Sequence, residues 1–295
     1  MRVLLLVNLK SGQGDAGLYE YVRALGVAGA EVTIRFIGLG GHLDHLLRDA
    51  DQHDCVVAAG GDGTVSAVCR HLANTGVAVL PYPAGTANLL SMNLGIPTNP
   101  LALARATIQA KTRDIDLGEI TFGEGRLPSG FIVAAGAGYD AAIIEAAERY
   151  KPSLGAAAYL VGALQNLAPT VARFTIDLDD RTIETEGMAV LVMNVVRVQF
   201  DLALAHESDP SDGVFEVVIV RTKYVPELIP AVWRAFLDRF TATPGRPRGL
   251  EVHTASEVRI VADPPLRLQY DGEVASETTP LTARVLPGAA RIIVP

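Results

Sequence analysis

The residues best placed to do chemistry form a glycine-rich turn, Gly60-Gly61-Asp62-Gly63-Thr64. Residues 55–59 before it are a short apolar run typical of a buried strand, and Val65, Val68 and Leu72 after it recur at helical spacing. Glycines let a backbone come close to a ligand and adopt positive φ angles. A helix start adds free N–H groups and the positive end of the helix dipole, which together favour phosphate. The turn therefore predicts a phosphate-binding site between a strand and a helix.

Asp62, at the centre of this turn, indicates which phosphate ligand is expected. A carboxylate among phosphate-binding N–H groups would repel the ligand unless a cation lay between them. Asp62 therefore points to a metal-bound nucleotide. A tight strand-to-helix turn without a ligand is the alternative interpretation of the same residues.

Two further polar turns follow apolar runs. Asn8-Leu9-Lys10-Ser11-Gly12 comes after residues 3–7, and Pro83-Ala84-Gly85-Thr86-Ala87-Asn88 comes after residues 77–80. Thr86 and Asn88 can hydrogen-bond a nucleotide, although Asn88 could equally be a helix N-cap. Strand and helix patterns alternate up to residue 110, which predicts a parallel sheet with helices on both faces. Because the carboxyl ends of such strands share one edge, the three turns are expected to meet there.

Two acidic turns lie later in the chain. Asp209-Pro210-Ser211-Asp212-Gly213 precedes a strand pattern and could hold a hard cation, with a backbone carbonyl as a further ligand. Asp271-Gly272-Glu273 follows a strand pattern, and its two carboxylates could serve as metal ligand and general base. Spacing alone favours ordinary solvated turns at both places.

Beyond residue 116 the pattern changes to short alternating runs separated by turn residues, which is typical of an antiparallel sandwich or barrel. The expected strands are residues 131–135, 174–178, 188–195, 215–220, 257–261, 266–270 and 281–286. Helical patterns interrupt them at residues 141–148, 156–167 and 225–240. The chain is therefore expected to combine an α/β unit with a β-rich unit.

Length and composition limit the class of protein. The 295 residues suffice for two domains, and 49% hydrophobic with 20% charged residues is ordinary for a globular chain. A net charge of −8 argues against non-specific nucleic-acid binding. The two cysteines, Cys55 and Cys69, lack metal-ligand spacing and suit a reducing compartment. The apolar start of the chain is too short for a signal peptide and no run is long enough for a transmembrane segment, so a cytoplasmic protein is expected.

Residues 12–17 also fit the G-x-G-x-x-G pattern of dinucleotide-binding proteins. That site needs an acidic residue at the end of the second strand to bind the ribose. The second strand pattern ends in Arg35-Phe36-Ile37, so a dehydrogenase is disfavoured. The sequence contains no Walker A motif.

Taken in order, these motifs resemble the diacylglycerol kinase catalytic family, which includes bacterial lipid kinases and sphingosine kinases. Residues 8–12 are similar to the family's N-P-x-S-G turn, with Leu9 in place of Pro. G-G-D-G-T, P-x-G-T-x-N, D-x-x-D-G and D-G-E then follow in the family's order, so the resemblance covers nearly the whole chain. G-G-D-G-T alone is shared with NAD kinases and 6-phosphofructokinases, whereas the ordered set is specific.

The resemblance implies a fold and an activity. It implies an N-terminal Rossmann-like α/β ATP-binding domain over residues 1–118, to which residues 290–295 return. It also implies a C-terminal antiparallel β-sandwich domain for the lipid over residues 119–289, with a cleft between the two domains. The implied reaction is Mg²⁺-assisted transfer of the γ-phosphoryl group of ATP to a hydroxyl of a diacylglycerol-like or sphingoid lipid. The alternatives are an NAD-kinase-like enzyme with a soluble acceptor and a non-catalytic lipid or nucleotide sensor.

The resemblance also implies roles for single residues. Glu273 would be the general base, Asp62 would position the catalytic magnesium or the phosphates, and Asp271 would help to hold that ion. A structural magnesium would be bound by Asp209, Asp212 and the carbonyl of Val214. The nucleotide would be bound by Asn8, Lys10, Ser11, Gly12, Gly60, Gly61, Asp62, Gly63, Thr64, Ser66, Thr86 and Asn88.

One segment departs from the family pattern. After Asn194 the family usually continues N-G-x-x-x-G-G, but residues 194–201 here are Asn-Val-Val-Arg-Val-Gln-Phe-Asp. The segment is expected near the lipid acceptor, so it bears on substrate identity and on whether activity is retained. A lipid substrate implies peripheral contact with a membrane surface, for which the helix pattern at 225–240 and the basic residues 246–248 are candidates. A core-packing helix and a solvated loop are the favoured alternative interpretation of these two stretches. A homodimer is compatible with the resemblance.

Overall fold

The structure is a computed structural model of the chain. It describes residues 1–11, 15–38, 42–123, 128–138, 170–195, 197–198, 202–203, 209–222 and 249–295. The chain divides into two compact units, Met1–Leu117 with Pro287–Pro295, and Gly118–Leu286. Among the helices that the structure describes, none is long and apolar enough to cross a membrane.

The first unit alternates strands and helices. Its elements are β1 (Arg2–Asn8), α1 (Asp15–Val27), β2 (Glu31–Ile37), α2 (Leu43–Leu47), a 3-10 turn (Ala50–Gln52), β3 (Cys55–Gly60), α3 (Asp62–His71), β4 (Ala78–Pro83), α4 (Leu89–Asn93) and α5 (Pro100–Gln109). Strand β3 is buried along its whole length, which explains its unbroken run of apolar and small residues.

These strands form a parallel sheet in the order β2-β1-β3-β4. Helix α1 packs with α5, and α2 packs with α3. The connection from β1 leads to β2 on one side of the β1–β3 pair, whereas the connection from β3 leads to β4 on the other side. Because crossovers between parallel strands are right-handed, the helices of these two connections cover opposite faces of the sheet. The prediction of a parallel sheet with helices on both faces is therefore confirmed.

The end of the chain adds a fifth strand to this sheet. The last residues of strand β18 (Leu281–Ile293) run parallel to the start of β4, and Arg291 lies opposite Ala78. Arg291 also forms an ion pair with Asp114 on β5 (Thr112–Phe122), with Nε and Oδ1 at 2.8 Å. Both contacts lie within the first unit, so residues far apart in sequence complete it.

The second unit consists of strands in the part of the chain that the structure describes. They are β6 (Ser129–Phe131), β7 (Ala134–Gly138), β8 (Ala172–Leu178), β9 (Arg181–Gly187), β10 (Ala189–Met193), β11 (Arg197–Val198), β12 (Leu202–Ala203), β13 (Phe215–Val220), β14 (Leu250–Ala255), β15 (Glu257–Asp263), β16 (Arg267–Tyr270) and β17 (Glu273–Thr278), with parts of β5 and β18.

Two antiparallel sheets dominate this unit. One has the order β14-β13-β10-β7-β16-β17, and the other contains β18-β15-β8-β9. Buried side chains of both sheets share one apolar core, with Phe174 and Val258 from one sheet and Val192 and Val217 from the other. This arrangement is an antiparallel sandwich, which is one of the two architectures expected from the alternating pattern and the one that the resemblance implies.

The strand expected at residues 131–135 is wrong, because β6 ends at Phe131, β7 begins at Ala134, and Ile132 and Val133 form a bend between them. Alternation is compatible with a strand on either side of the bend, so it cannot reveal the bend itself. The helices expected at 141–148, 156–167 and 225–240 lie outside the described residues.

Candidate active site

Three turns lie at one edge of the parallel sheet. They follow β1, β3 and β4, which are adjacent and run in the same direction. The carboxyl ends of these strands therefore meet, which is where α/β proteins bind ligands. The side chains and glycines that join the turns are local to the first unit.

The first turn is bound to the second through Asn8. The Nδ2 of Asn8 donates to Oγ1 of Thr64 at 2.8 Å, and its Oδ1 accepts the N–H of Lys10 at 3.0 Å. The N–H of Ser11 donates to the Asn8 carbonyl at 3.0 Å. A Cβ at Gly60 would come within 2.5 Å of Thr64 Oγ1. Any larger residue at position 60 would therefore displace Thr64 and its bond to Asn8.

The second turn is bound to the third through Asp62. Its two carboxylate oxygens accept the backbone N–H groups of Leu89 and Leu90, each at 3.0 Å, at the start of α4. Asn88 occupies the N-cap position of that helix in a left-handed conformation, but its side chain does not cap. Burial raises the pKa of Asp62, while the N–H bonds favour its charged form. Asp62, in the second turn, thus caps the start of α4, the helix that follows the third turn.

Close backbone contact also joins these two turns. A Cβ at Gly85 would lie 2.4 Å from the Cα of Gly61, which leaves no room for a side chain. The side chain of Asn88 holds this approach in place, because its Oδ1 accepts the Gly85 N–H at 2.9 Å and its Nδ2 donates to the Gly85 carbonyl at 2.8 Å. The Asn88 amide is therefore used within its own turn.

The remaining residues that were expected to bind the nucleotide differ in their exposure and position. The side chains of Lys10 and Thr86 are exposed at this sheet edge. Gly63 lies in the first turn of α3. Ser66, also on α3, is only 3% exposed, so its hydroxyl is not presented at the surface. Gly12 lies outside the described residues.

In the second unit, Asp271 lies in the two-residue turn between β16 and β17. Asp271 and Gly272 both have positive φ angles, 46° and 82°, as a tight hairpin turn requires. The Asp271 carboxylate accepts backbone N–H groups from Ile132 at 2.9 Å, Val133 at 2.8 Å and Ala134 at 3.3 Å. The hairpin turn is thereby bound to the bend between β6 and β7.

The same bend is bound by Asn194, which is fully buried. Its Nδ2 donates to the Ile132 carbonyl at 3.0 Å, and its backbone N–H donates to the Val133 carbonyl at 2.9 Å. Asp271 thus binds the N–H groups of the bend, and Asn194 binds its carbonyls. These contacts explain why the chain can interrupt a strand there without leaving buried backbone groups unpaired.

Glu273, two residues after Asp271, is in a different environment. It is the first residue of β17 and its side chain is exposed. Within the described residues its carboxylate forms no hydrogen bond or ion pair. The D-G-E motif therefore contains one carboxylate bound to backbone N–H groups and one carboxylate turned to solvent.

Asp209 and Asp212 form a compact turn before β13. The Oδ1 of Asp209 accepts the Ser211 N–H at 3.0 Å, and the Oδ1 of Asp212 accepts the Val214 N–H at 3.1 Å. Gly213 has a φ of 80°, which suits glycine. No cluster of three or more His, Cys, Asp or Glu side chains suited to a metal occurs within the described residues.

Sequence reasoning missed how the site residues are connected. Nothing local in the sequence relates Asp62 to the start of α4, or Asp271 and Asn194 to the same bend. One available signal was Asn88 itself, three residues after Gly85, because Asn side chains in turns commonly hydrogen-bond nearby backbone groups.

Comparison with known families covers both units. Residues 2–120 match the family model described as the diacylglycerol kinase catalytic domain. Residues 133–294 match the model described as the YegS C-terminal NAD kinase beta sandwich-like domain.

Individual relatives agree with these matches. A protein named diacylglycerol kinase from Mycobacterium tuberculosis is 28% identical over all of this chain and 95% of its own length. A "probable lipid kinase YegS-like" of Xanthomonas oryzae pv. oryzae is 30% identical over 91% of this chain and 88% of its own length. An uncharacterized Synechocystis protein is 26% identical, and this chain spans only 56% of it. The crystal structure of a diacylglycerol kinase from Bacillus anthracis str. Sterne has a TM-score of 0.77 at 23% identity, covering 100% of this chain and 97% of that one, and so shares the fold.

Proposed function

We propose, from the fact that this chain belongs to the diacylglycerol kinase catalytic-domain family, that it is an ATP-dependent lipid kinase. The reaction would transfer the γ-phosphoryl group of ATP to a hydroxyl group of a lipid. The observation that carries this proposal is the joining of three turns at one sheet edge by Asn8 and Asp62. Such a rigid, glycine-lined edge suits a polyphosphate, because backbone N–H groups can approach the phosphate oxygens closely.

The first unit would bind the nucleotide. Gly61 and Gly63 lie at the start of α3, where the helix dipole and unpaired N–H groups favour phosphate. Lys10 and Thr86 are exposed at the same edge and can add a cation and a hydroxyl. Asp62 would act by holding the second and third turns together, since its carboxylate already accepts two N–H groups.

Magnesium fits the donor set of the acidic turn. Asp209, Asp212 and the carbonyl of Val214 offer only hard oxygen donors, which this ion prefers. When bound there, the ion would be the structural magnesium that the resemblance implies, and it would neutralise the charge of the two carboxylates. A separate catalytic magnesium would assist phosphoryl transfer by offsetting the charge of the nucleotide phosphates. The chain's own contribution here is the turn geometry that Gly213 permits.

Glu273 would accept the proton of the lipid hydroxyl. Its exposed carboxylate has no competing partner within the described residues, so it is available to a substrate. Asp271 would set the position of Glu273 by fixing the hairpin turn against residues 132–134. Phosphoryl transfer relies mainly on positioning and charge stabilisation, so loss of the base is expected to leave residual activity.

The acceptor is expected to be a membrane lipid of the diacylglycerol or sphingoid type. Asn194 begins the segment 194–201 that lacks the family's usual glycines. We expect this segment to influence which lipid is accepted. The two stretches suggested for membrane contact, 225–240 and 246–248, lie outside the described residues.

The test is phosphate transfer from labelled ATP to a panel of lipids presented in vesicles. Diglycerides, sphingoid bases and other glycerolipids would be compared, and the product lipid that carries the label would be identified. Glu273→Gln should lower turnover at least tenfold, in line with the general contribution of acid–base catalysis of about 10²–10⁴. The matched control is Glu257→Gln, because Glu257 is also an exposed glutamate at the first residue of a strand.

Other outcomes would overturn the proposal. Label on NAD, with none on any lipid, would indicate a kinase of a soluble acceptor. A thermal shift with ATP but no transfer to lipid or to NAD would indicate a nucleotide sensor. Equal lipid phosphorylation by the Glu273 variant and the wild type would remove Glu273 from the mechanism.

A further inference from the structure

Two residues at the ends of different strands bind the same short bend from opposite sides. Strand β7 lies between β10 and β16 in its sheet. The bend at residues 132–133 comes directly before β7, Asn194 directly follows β10, and Asp271 directly follows β16. The bend is therefore flanked by the ends of both neighbouring strands.

Asn194 and Asp271 divide the polar groups of the bend between them. The Asp271 carboxylate accepts the N–H groups of Ile132 at 2.9 Å and of Val133 at 2.8 Å. The Nδ2 of Asn194 donates to the Ile132 carbonyl at 3.0 Å, and its backbone N–H donates to the Val133 carbonyl at 2.9 Å. Each backbone N–H and C=O of the two bend residues is thus bound by one of these two partners.

We propose that Asn194 is a positioning residue for Glu273, the general base proposed above, and that it acts through the bend and the hairpin turn. Asn194 fixes the bend, the bend fixes Asp271, and Asp271 fixes Glu273. The inference rests on the proposed lipid kinase activity, because the position of Glu273 has a catalytic consequence only in a reaction that uses it as a base.

The bond from the Asn194 side chain to the bend is shielded from water. Asn194 and Ile132 are both buried, with 0% exposure, so water cannot replace the amide at the Ile132 carbonyl. A buried carbonyl that loses its donor is costly, so without this amide the bend would shift toward another donor. That shift would also move the N–H groups that Asp271 accepts, because they belong to the same two residues.

The hairpin turn transmits the position of Asp271 to Glu273. The turn is only two residues long, since β16 ends at Tyr270 and β17 begins at Glu273. Its residues Asp271 and Gly272 both have positive φ angles, as in the tight turns whose twist matches that of the flanking strands. Tyr270 and Glu273 then lie opposite each other in the ladder. A displacement of Asp271 therefore displaces the start of β17 with it.

The position of Glu273 affects the rate because proton transfer has a short range. A general base must come within about 2.6–3.2 Å of the atom whose proton it takes. A misplacement of about 1 Å can cost about 10²-fold in rate. Loss of the Asn194 donor should therefore lower kcat, while the KM for ATP should stay unchanged because the nucleotide is assigned to the first unit.

The test compares Asn194→Leu with the wild type in kcat and in the KM for ATP, on vesicles of the diglyceride or sphingoid base that the wild type phosphorylates. Leucine is close to asparagine in shape and cannot donate a hydrogen bond. We expect kcat to fall about tenfold or more, with the KM for ATP within about twofold of wild type. Thr185→Val is the matched control, because Thr185 is also buried, lies on β9 of the other sheet, and would lose its hydroxyl bond to the Glu186 carbonyl. Both kinetic constants should be unchanged in this control.

A double-mutant cycle separates positioning from a general loss of structure. In a Glu273→Gln background, Asn194→Leu should lower kcat by less than about twofold, because the base that Asn194 positions is already absent. Circular dichroism melting would confirm that each variant folds, and Asn194→Ala takes the place of Asn194→Leu if the latter does not fold.

Hydrogen exchange gives a readout that does not depend on activity. The amides of Ile132 and Val133 should exchange about tenfold faster or more in Asn194→Leu, because the bend is then held from one side only. Exchange at these two amides should be unchanged in Thr185→Val and in Glu273→Gln.

The failure of this inference can be told apart from the failure of the proposed function. Lipid phosphorylation by the wild type, with losses that multiply in the double variant, would overturn the inference and leave the proposed function intact. So would an unchanged kcat in Asn194→Leu, or exchange at the bend equal to that of the wild type. A wild type that phosphorylates no lipid would instead overturn the proposed function, and the catalytic role of Asn194 with it.

Discussion

The carboxylate of Asp62 accepts the backbone N–H of Leu90 at 3.0 Å, although 28 residues separate them. The neighbouring N–H of Leu89 donates to the other oxygen at the same distance. Asp62 therefore connects the glycine-rich turn to the start of α4. Its burial raises its pKa, so its charge depends on these N–H groups staying in place.

Replacing Asp62 by Asn should weaken the fold as well as the site. The Asn side chain keeps one acceptor but turns an N–H₂ group toward a backbone N–H. Loss of a hydrogen bond to a charged group should lower the free energy of unfolding by about 1.5 to 3 kcal/mol in urea titrations. Asp51→Asn, at an exposed position of the 3-10 turn, is the control and should be neutral. A variant as stable as wild type but unable to bind ATP would show that Asp62 acts on the ligand and not on the turns.

Gly85→Ala should disrupt the same edge by a steric route. The added methyl would lie 2.4 Å from the Cα of Gly61, so one of the two turns must move. We expect a loss of about 1 to 3 kcal/mol in stability and a weaker thermal shift with ATP. Gly38→Ala is the matched control, because a Cβ there meets nothing within 4 Å. Equal behaviour of the two variants would contradict the close approach of the turns.

Substitutions of the two carboxylates of the D-G-E motif should have different effects on stability and on activity. Asp271→Asn removes the negative charge and one of the two oxygens that accept three backbone N–H groups, so both melting temperature and lipid phosphorylation should fall. Glu273→Gln should reduce phosphorylation while leaving the melting temperature within a degree or so, as for most exposed substitutions. The two quantities would be measured on the same preparations. A large stability loss in the Glu273 variant would refute the distinction.

The Arg35–Asp49 ion pair predicts a specific pH dependence of stability. The hydrogen bonds from Arg35 lower the pKa of Asp49 from 3.8 to about 2. Because the folded pKa is below the unfolded one, the pair stabilises the fold above about pH 4 and this contribution is lost as pH falls toward 2. Asp49→Asn should therefore melt at a lower temperature than wild type at pH 7, and the difference should vanish near pH 2. A difference that is constant with pH would exclude the ion pair as its cause.

Much of the fold could be predicted from residue patterns. Apolar runs followed by glycine-bearing turns and helical spacing identified β1, β3 and β4 and the shared edge of the sheet. Alternating runs predicted an antiparallel sandwich or barrel for the second unit, and the family resemblance favoured the sandwich. These signals are local, because each strand or helix buries one face and its apolar residues therefore recur within a short stretch of sequence. They failed at residues 131–135, where the backbone bends because Asp271 and Asn194 bind it.

The sequence by itself determined which residue types stand at the ends of the strands, and the order of motifs determined the family. Only the tertiary structure decided what those residues touch. By residue type alone, Asp62 was a candidate for positioning a metal ion or phosphates. In the structure its carboxylate accepts the backbone N–H groups of Leu89 and Leu90. The physical reason is that a carboxylate accepts N–H groups, cations and protons alike. Its partner is set by the packing of distant turns, which no local pattern records.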